Sequence, residues 1–218
     1  LYAVLLKPLP YAEPERLVAV NLTTKMGGFQ ITAWPYPSFV AVRDHNQSFA
    51  ALAAYTERKF NLVGEQDTER VQTELVSAGY FPLLGLGAAT GRTFLPEEDQ
   101  TPGTHPVALI SHGLWQRRFG GSANVLGQTI NLDKTAFTIV GVMPNGFRGQ
   151  DGKADVWVPM MMTGALLNPQ LLTGADTMWH SVLGRLKTGV TLAQAQAEMG
   201  SLDKSLPQFM PPKDAADH

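Results

Sequence analysis

The stretch that most constrains the fold is residues 106–147, because it changes from one kind of secondary-structure pattern to another several times. Pro106–Ser111 is a short apolar run typical of a strand, and His112–Phe119 has the spacing of an amphipathic helix. Gly120 ends the predicted helix, since glycine readily adopts the left-handed conformation that helix ends require. Residues 128–142 then predict a hairpin, with two apolar runs around a polar turn.

The first and last quarters of the chain repeat a strand–helix rhythm. A strand at 17–22 precedes a helix at 37–49, and a strand at 181–186 precedes a helix at 191–206. In the last helix Thr191 and Gln194 form a capping-box pair, and Pro207 is predicted to end it. Pro37 is predicted at the first helical position of the earlier helix.

The segments between these units are read mostly as strands and loops. The remaining predictions are a loop at 23–33, strands at 52–56, 59–63, 70–77 and 154–160, a helical turn at 79–84 and a mobile loop with a helical turn at 161–176. A strand-rich middle between two strand–helix ends predicts an α+β fold with a β-rich insertion. The predicted boundaries are 1–84 and 176–218 for the outer subdomain and 85–175 for the inserted one.

Composition excludes several classes of protein. A hydrophobic content of 44% with 17% charged residues indicates a folded globular chain. A net charge of −2 offers no basic field for nucleic acid, so no nucleic-acid partner is predicted. The absence of cysteine excludes disulfides, thiolate zinc sites and cysteine nucleophiles. No window is apolar over the roughly 18 residues needed to span a bilayer, so we expect any membrane anchor to lie outside this segment.

Ser111-His112 suggests a hydrolase with a serine nucleophile and a histidine base. The frame Leu109–Gly113 lacks the first glycine of a nucleophile elbow, and adjacent residues rarely face one another as nucleophile and base. Ser111 is equally suited to cap the helix that follows it. The sequence therefore favours the cap, and no catalytic residue is predicted.

Metal and cofactor sites receive no stronger support. The five histidines, at 45, 105, 112, 180 and 218, show no ligand spacing, and Glu97–Asp99 lacks the spacing of a calcium loop and is interpreted as a solvated turn. Gly85, Gly87 and Gly91 depart by one residue from a dinucleotide fingerprint and are interpreted as turn residues. No cofactor and no metal ligand is predicted.

Two further segments have open interpretations. Arg117-Arg118 beside Trp115 resembles a nucleic-acid contact, but the balance of charge argues against that function. The apolar segment 166–172, with Met160–Met162, fits either a loop that contacts a partner or ordinary packing.

An ordered series of short motifs runs through nearly the whole chain. They are Leu6-Lys-Pro-Leu-Pro-Tyr11, Pro14-Glu-Arg-Leu17, Tyr36-Pro37, Glu69-Arg-Val71, Val76-Ser-Ala-Gly-Tyr-Phe81, Gly91-Arg-Thr-Phe94, Glu98-Asp99, Val107-Ala-Leu-Ile-Ser-His-Gly-Leu-Trp115, Arg118-Phe-Gly120, Gly127-Gln-Thr-Ile130, Phe137-Thr-Ile-Val-Gly-Val-Met-Pro144, Gly146-Phe147, Asp155-Val-Trp-Val-Pro159 and Gly184-Arg-Leu-Lys-Thr-Gly-Val190. In this order they resemble the periplasmic core domain of MacB-type ABC transporter permeases. They are most similar to the duplicated orphan permeases of acidobacteria, which have FtsX-like transmembrane parts.

The resemblance implies a porter-like subdomain of ferredoxin-like βαβ units, built from both chain ends, with an inserted sabre-like subdomain. It also implies a periplasmic position, with one transmembrane helix before residue 1 and three after residue 218. The expected partners are those helices, a separate ABC ATPase, and a second permease copy or a periplasmic protein.

The expected function is noncatalytic. The domain would couple conformational change across the membrane, or contact a substrate or partner protein. The alternative is a soluble module that binds a peptide, a lipoprotein or a small molecule, with its site at residues 160–175 and in the cleft between subdomains.

Overall fold

The computed structural model describes residues 11–26, 29–64 and 67–209. It divides into two compact units, one formed by the described residues up to Ala54 with those from Pro169 onward, and one formed by Tyr55–Asn168. The divisions therefore lie at 54/55 and 168/169 rather than at the predicted 84/85 and 175/176. The shift arises because the hairpin before residue 84 continues into the sheet of the second unit, where its second strand pairs with residues 156–159.

The first unit contains a sheet, a separate hairpin and three helices. Its elements are β1 (Leu17–Val20), β2 (Thr23–Met26), β3 (Phe29–Thr32), α1 (Tyr36–His45), the start of β4 (Phe49–Val63), α5 (Gln170–Thr173), β11 (Ser181–Leu186) and α6 (Leu192–Phe209). In the sheet β11 lies between β1 and β4, and its pairing with β1 is antiparallel. α1 packs against α5 and α6.

Three predictions in this unit need correction. Residues 23–33 are not a plain loop, since β2 and β3 pair antiparallel there. Pro37 is the second residue of α1, which begins at Tyr36, and a proline is tolerated in this first turn because its missing N–H would have no partner within the helix. α6 does not end before Pro207 but continues to Phe209. A proline in the last turn removes only one terminal hydrogen bond, so the helix tolerates it there.

The second unit is built around strands. Its elements are the remainder of β4, β5 (Thr68–Val76), α2 (Tyr80–Leu84), β6 (Thr90–Gly91), β7 (Val107–Ile110), α3 (His112–Phe119), β8 (Thr129–Leu132), β9 (Thr135–Val142), β10 (Val156–Pro159) and α4 (Thr163–Leu166). Short 3₁₀ helices of this unit lie at Pro96–Asp99, Ala123–Val125 and Met160–Met162, and another, in the first unit, lies at Pro14–Arg16.

Strand pairing in the second unit closes on itself. The order β4–β5–β10–β7–β9 is completed by β8, which pairs with both β9 and β4. Closure pairs the strand edges that would otherwise be open to other chains. Alternate side chains of β4 turn inward, so Phe60 and Leu62 are buried between exposed neighbours. The mixed sheet with its helices confirms the predicted α+β class.

The predictions for the central stretch are confirmed closely, whereas those for 52–63 and 161–176 differ from the structure. β7, α3, β8 and β9 match the predicted strand, helix and hairpin, and Gly120 is left-handed with φ 59°. The two strands predicted at 52–56 and 59–63 are one continuous strand, β4. Residues 161–176, predicted as a mobile loop with a helical turn, contain two short helices, α4 and α5, and Met160–Met162 are buried. Packing of the methionines in the core explains the ordered backbone.

Candidate functional site

Ser111 lies at the end of β7, and its hydroxyl has two structural partners. It accepts a hydrogen bond from the Leu114 N–H at 3.0 Å, which makes it the N-cap of α3 as predicted. It donates to Asp155 Oδ1 at 3.2 Å. The side chain of His112 instead packs edge-on against Trp115, with ring centroids 5.3 Å apart. His112 therefore does not act as a base toward Ser111, and the Ser111 side chain, which is 1% exposed, is almost closed to solvent.

The arginines of α3 are paired with carboxylates. Arg117 contacts Glu69 at 2.6 Å and Asp155 at 3.1 Å, and Arg118 contacts Asp67 at 2.6 Å. Asp155 also accepts a contact from Arg148 at 3.1 Å. These ion pairs give both α3 arginines acidic partners within the chain, and they join α3 to β5 and to the loop before β10.

The acidic turn at 97–99 is not a solvated cluster. Glu98 is 4% exposed and accepts two hydrogen bonds from Arg92, at 2.7 and 2.9 Å, and one from the Leu95 N–H. Asp99 accepts from the Ala78 N–H at 2.9 Å. Burial is the largest single influence on the pKa of Glu98 and raises it. The hydrogen bonds from Arg92 and Leu95 act in the opposite direction, and the pKa of Glu98 lies below its usual value. These carboxylates bind protein donors.

The glycines at 85, 87 and 91 have local roles. Gly85 is left-handed, with φ 71°, and ends α2. Gly91 has φ 79° and lies against the backbone of β9, where any side chain would overlap the Val140 carbonyl. Gly87 has open space around it.

The predicted histidines are dispersed in space as well as in sequence. His45 contacts its own helix at the Ala41 carbonyl, His105 contacts Thr104, and His218 lies outside the described residues. His180 is buried among aromatic rings. Among residues 11–26, 29–64 and 67–209, the single group of three potential metal-ligating side chains contains no histidine.

That group is a cluster of carboxylates in the second unit, which we call the carboxyl cluster: Glu57, Glu74 and Asp151. One oxygen from each lies within 4.8 Å of the others. Glu57 and Glu74 are direct cross-strand partners on β4 and β5, and Trp157 lies opposite Glu74 on β10. No spacing pattern in the sequence could have identified these acids, because strand register brings Glu57 and Glu74 together and a loop brings Asp151 to them.

Glu74 is the buried member of the carboxyl cluster, with no exposed surface. Its Oε2 accepts from the Tyr80 hydroxyl at 2.8 Å and from Trp157 Nε1 at 2.6 Å, and its Oε1 accepts from the Gln150 N–H at 2.7 Å. Burial raises the pKa of Glu74 to about 7, although these three donors oppose the rise. Burial, and then the charge of Asp151, raise the pKa of Glu57.

The first unit contains a separate cavity of about 320 Å³ beside β1, α1 and α6. Its walls are about equally apolar and polar, and the apolar part includes Trp34, Val42 and Met199. Asp203 is the one charged residue among them. Trp34 is fixed by a 2.7 Å hydrogen bond from its Nε1 to the Val20 carbonyl. The cavity can accept an apolar group, and Asp203 adds a negative charge at its lining.

No helix of the described chain combines the length and apolarity required to cross a bilayer. A family model for the MacB-like periplasmic core domain matches residues 8–202. No curated protein matches the chain.

Solved structures of transporter domains share the fold. The periplasmic region of MacB from Actinobacillus actinomycetemcomitans has a TM-score of 0.65 at 16% identity, covering 81% of this chain and 75% of that one. The extracellular domain of the noncanonical ABC-type transporter YknZ from Gram-positive bacteria has a TM-score of 0.62 at 14% identity, with coverages of 79% and 84%. A domain from Porphyromonas gingivalis, described as part of a permease, has a TM-score of 0.65 at 19% identity, with coverages of 89% and 86%.

Proposed function

The chain belongs to the family of MacB-like periplasmic core domains of ABC transporter permeases, and we propose that it couples conformational change across the membrane without catalysing a reaction. Its partners in this proposal are the transmembrane helices of the same permease and an ABC ATPase subunit or domain. A second permease copy or a periplasmic protein completes the set of proposed contacts. Coupling of this kind requires contacts that differ between two states of the domain.

The observation that supports this function best is a clamp between the last helix and the start of β4. Glu198 of α6 accepts hydrogen bonds from the backbone N–H groups of both Gln47 and Ser48, the latter at 2.8 Å. These two residues connect α1 to β4. A carboxylate that binds two adjacent backbone donors is a charge-assisted contact, roughly twice as strong as a neutral one.

The clamp connects the last helix of the described chain to the strand that leaves the first unit. β4 begins at Phe49, directly after the clamped residues, and passes into the second unit at Tyr55. The same junction is fixed by a hydrogen bond from the Lys187 N–H to the Ser48 carbonyl at 2.9 Å. A displacement of α6 would therefore be transmitted to the first residues of β4 through hydrogen bonds to the backbone, in addition to side-chain packing.

Hydrogen–deuterium exchange in the intact permease with its ATPase tests the proposal. We expect exchange at the amides of Gln47 and Ser48 to differ between the nucleotide-free and the ATP-bound transporter. Glu198→Ala removes both hydrogen bonds, so it should raise exchange at these amides in both states and abolish the difference. Asp203→Ala is the control, because it removes a carboxylate from the same helix without touching these amides.

Two results would contradict coupling through this clamp. One is equal exchange of all peptides of this domain in both nucleotide states. The other is a nucleotide-dependent difference at Gln47 and Ser48 that Glu198→Ala leaves unchanged.

The cavity in the first unit favours a second candidate function, the binding of a small apolar molecule. Its apolar residues and its single acid suit an aliphatic chain with a cationic end better than one with an anionic end. A thermal-shift comparison of dodecylamine with dodecanoate tests this, with Met199→Trp to fill the cavity. Stabilisation by the amine, lost in Met199→Trp, is expected. Equal shifts with both probes, or an unchanged shift in the variant, would rule the site out.

A further inference from the structure

The loop 148–153 is held against β5 by the carboxyl cluster. The Gln150 N–H binds Glu74 Oε1, and the Gln150 side-chain amide donates to the Tyr80 hydroxyl at 3.3 Å. Gly149 has φ 73°, and any side chain at this position would overlap the Glu74 carboxylate. The loop therefore approaches Glu74 through its backbone, and glycine is required where it does so.

The same loop contributes a negative charge to the carboxyl cluster. Asp151 lies within 4.8 Å of Glu57 and Glu74, and its own Oδ1 accepts from the Lys153 N–H at 2.8 Å. Three ionised carboxylates at such distances repel one another, most strongly where one of them is removed from water. With all three ionised, the charge of Asp151 acts to drive the loop away from β5.

One proton in the carboxyl cluster reduces this repulsion without breaking a hydrogen bond. Oε2 of Glu74 has two lone pairs, which match its two donors, Tyr80 and Trp157. Oε1 can carry the proton and still accept from the Gln150 N–H. A protonated Glu74 therefore satisfies every partner that the structure gives it.

The charged groups around Glu74 come from each element that faces it. β4 supplies Glu57 and the adjacent Arg58, the loop supplies Asp151 and Lys153, and α2 supplies the Tyr80 hydroxyl. Lys153 and Arg58 act on Glu57 and lower its pKa, but they do not cancel the rise caused by burial and by Asp151. The neighbouring cations therefore do not fully compensate the negative charge of the carboxyl cluster.

We propose that the loop 148–153 is a proton-controlled latch, held on β5 while a proton is shared within the carboxyl cluster and released when that proton is lost. Burial raises the pKa of Glu74 from 4.5 to about 7. Because the folded value is above the unfolded one, the stabilisation is complete below the unfolded value. It is lost as the pH rises through about 7.

Amide exchange of Gln150 in the whole chain, corrected for the intrinsic pH dependence of exchange, measures the latch directly. The solution contains a chelator, so that no divalent cation substitutes for the proton. We expect the protection of the Gln150 amide to fall at least about tenfold between about pH 5.5 and about pH 8.5. Asp151→Asn removes the charge of the loop but keeps the oxygen that binds the Lys153 N–H, and should reduce the fall to less than about threefold.

Glu69→Gln is the matched control, because Glu69 is also on β5 and lies outside the carboxyl cluster. It should retain the wild-type fall. Protection of the Gln150 amide that is independent of pH in the wild type would overturn the proposal. So would a fall in Asp151→Asn as large as that of the wild type.

Discussion

At the scale of single residues, His180 shows how a fold can hold an ionisable side chain in its neutral form. The ring lies edge-on to Tyr36 and Phe39, each with a centroid distance of 5.8 Å, and edge-on to Trp179 at 5.2 Å. Burial lowers the pKa of His180 from 6.5 to about 4, against weaker opposing effects of the Ser181 and Pro35 carbonyls. The aromatic surroundings therefore favour the neutral ring at neutral pH.

His180→Phe should make the protein more resistant to acid. The folded pKa of His180 is below its unfolded value, so the wild type loses stability as the pH falls from 6.5 to about 4. That loss amounts to about 3 kcal/mol. In urea unfolding at several pH values, the free energy of unfolding of His180→Phe should increase relative to that of the wild type as the pH falls over this range. His45→Gln, at an exposed position, is the control, and a constant difference between variant and wild type would contradict the prediction.

At the scale of secondary-structure elements, α3 is defined at both ends by local chemistry. Ser111 caps its first turn, and the N–H of the left-handed Gly120 binds the Trp115 carbonyl. Tertiary structure then gives the cap a second function, because the Ser111 hydroxyl donates to Asp155, which in turn contacts Arg117 and Arg148. The hydroxyl oxygen of Ser111 therefore serves both the local helix cap and the ion-pair network around Asp155.

Ser111→Ala should destabilise the protein by about 1–3 kcal/mol, because it removes the cap and leaves a buried partner oxygen with one donor fewer. Ser122→Ala is the comparison, since Ser122 caps only a short 3₁₀ helix, and it should cost less than about 1 kcal/mol. Thermal or urea unfolding measures both. Equal losses for the two variants would show that the contact with Asp155 contributes nothing.

At the scale of the whole molecule, the second unit depends on a short closure. β8 pairs with β4 at only two register positions, Leu62 with Leu132 and Val63 with Asn131. Next to them, Asp133 Oδ1 accepts from the Asn61 backbone N–H at 3.1 Å and from its side-chain amide at 2.8 Å. The carboxylate of Asp133 reinforces the junction at which the ring of strands closes.

Asp133→Ala should loosen this junction selectively. We expect faster amide exchange at Asn61–Val63 and at β8, while β7 and β9 keep their protection, because their parallel pairing lies elsewhere in the ring. Asp133 has φ 50°, so alanine also introduces backbone strain. Asp133→Asn tolerates this conformation and keeps an acceptor oxygen, and it should resemble the wild type. Uniform loss of protection in both variants would contradict a local closure.

The central stretch could be predicted from sequence because its signals are local. A capping serine, a left-handed glycine and alternating apolar residues act within a few positions of one another, and the structure confirms β7, α3 and the β8–β9 hairpin. Predictions were wrong where distant packing decides. The interpretation of 97–99 as a solvated turn was wrong, since Glu98 is buried beside Arg92. For Met160–Met162, which the sequence left open, burial agrees with ordinary packing.

The sequence by itself determined the family and the α+β class, since both depend on an ordered set of short motifs and on local periodicity. Only the tertiary structure decided which carboxylates lie close together and which groups they bind. Glu57 and Glu74 become neighbours through strand register, and Asp151 reaches them through the path of a loop. Glu198 finds the start of β4 in the same way, across a long interval of sequence. Such contacts have no local periodicity, so no pattern in the sequence predicts them.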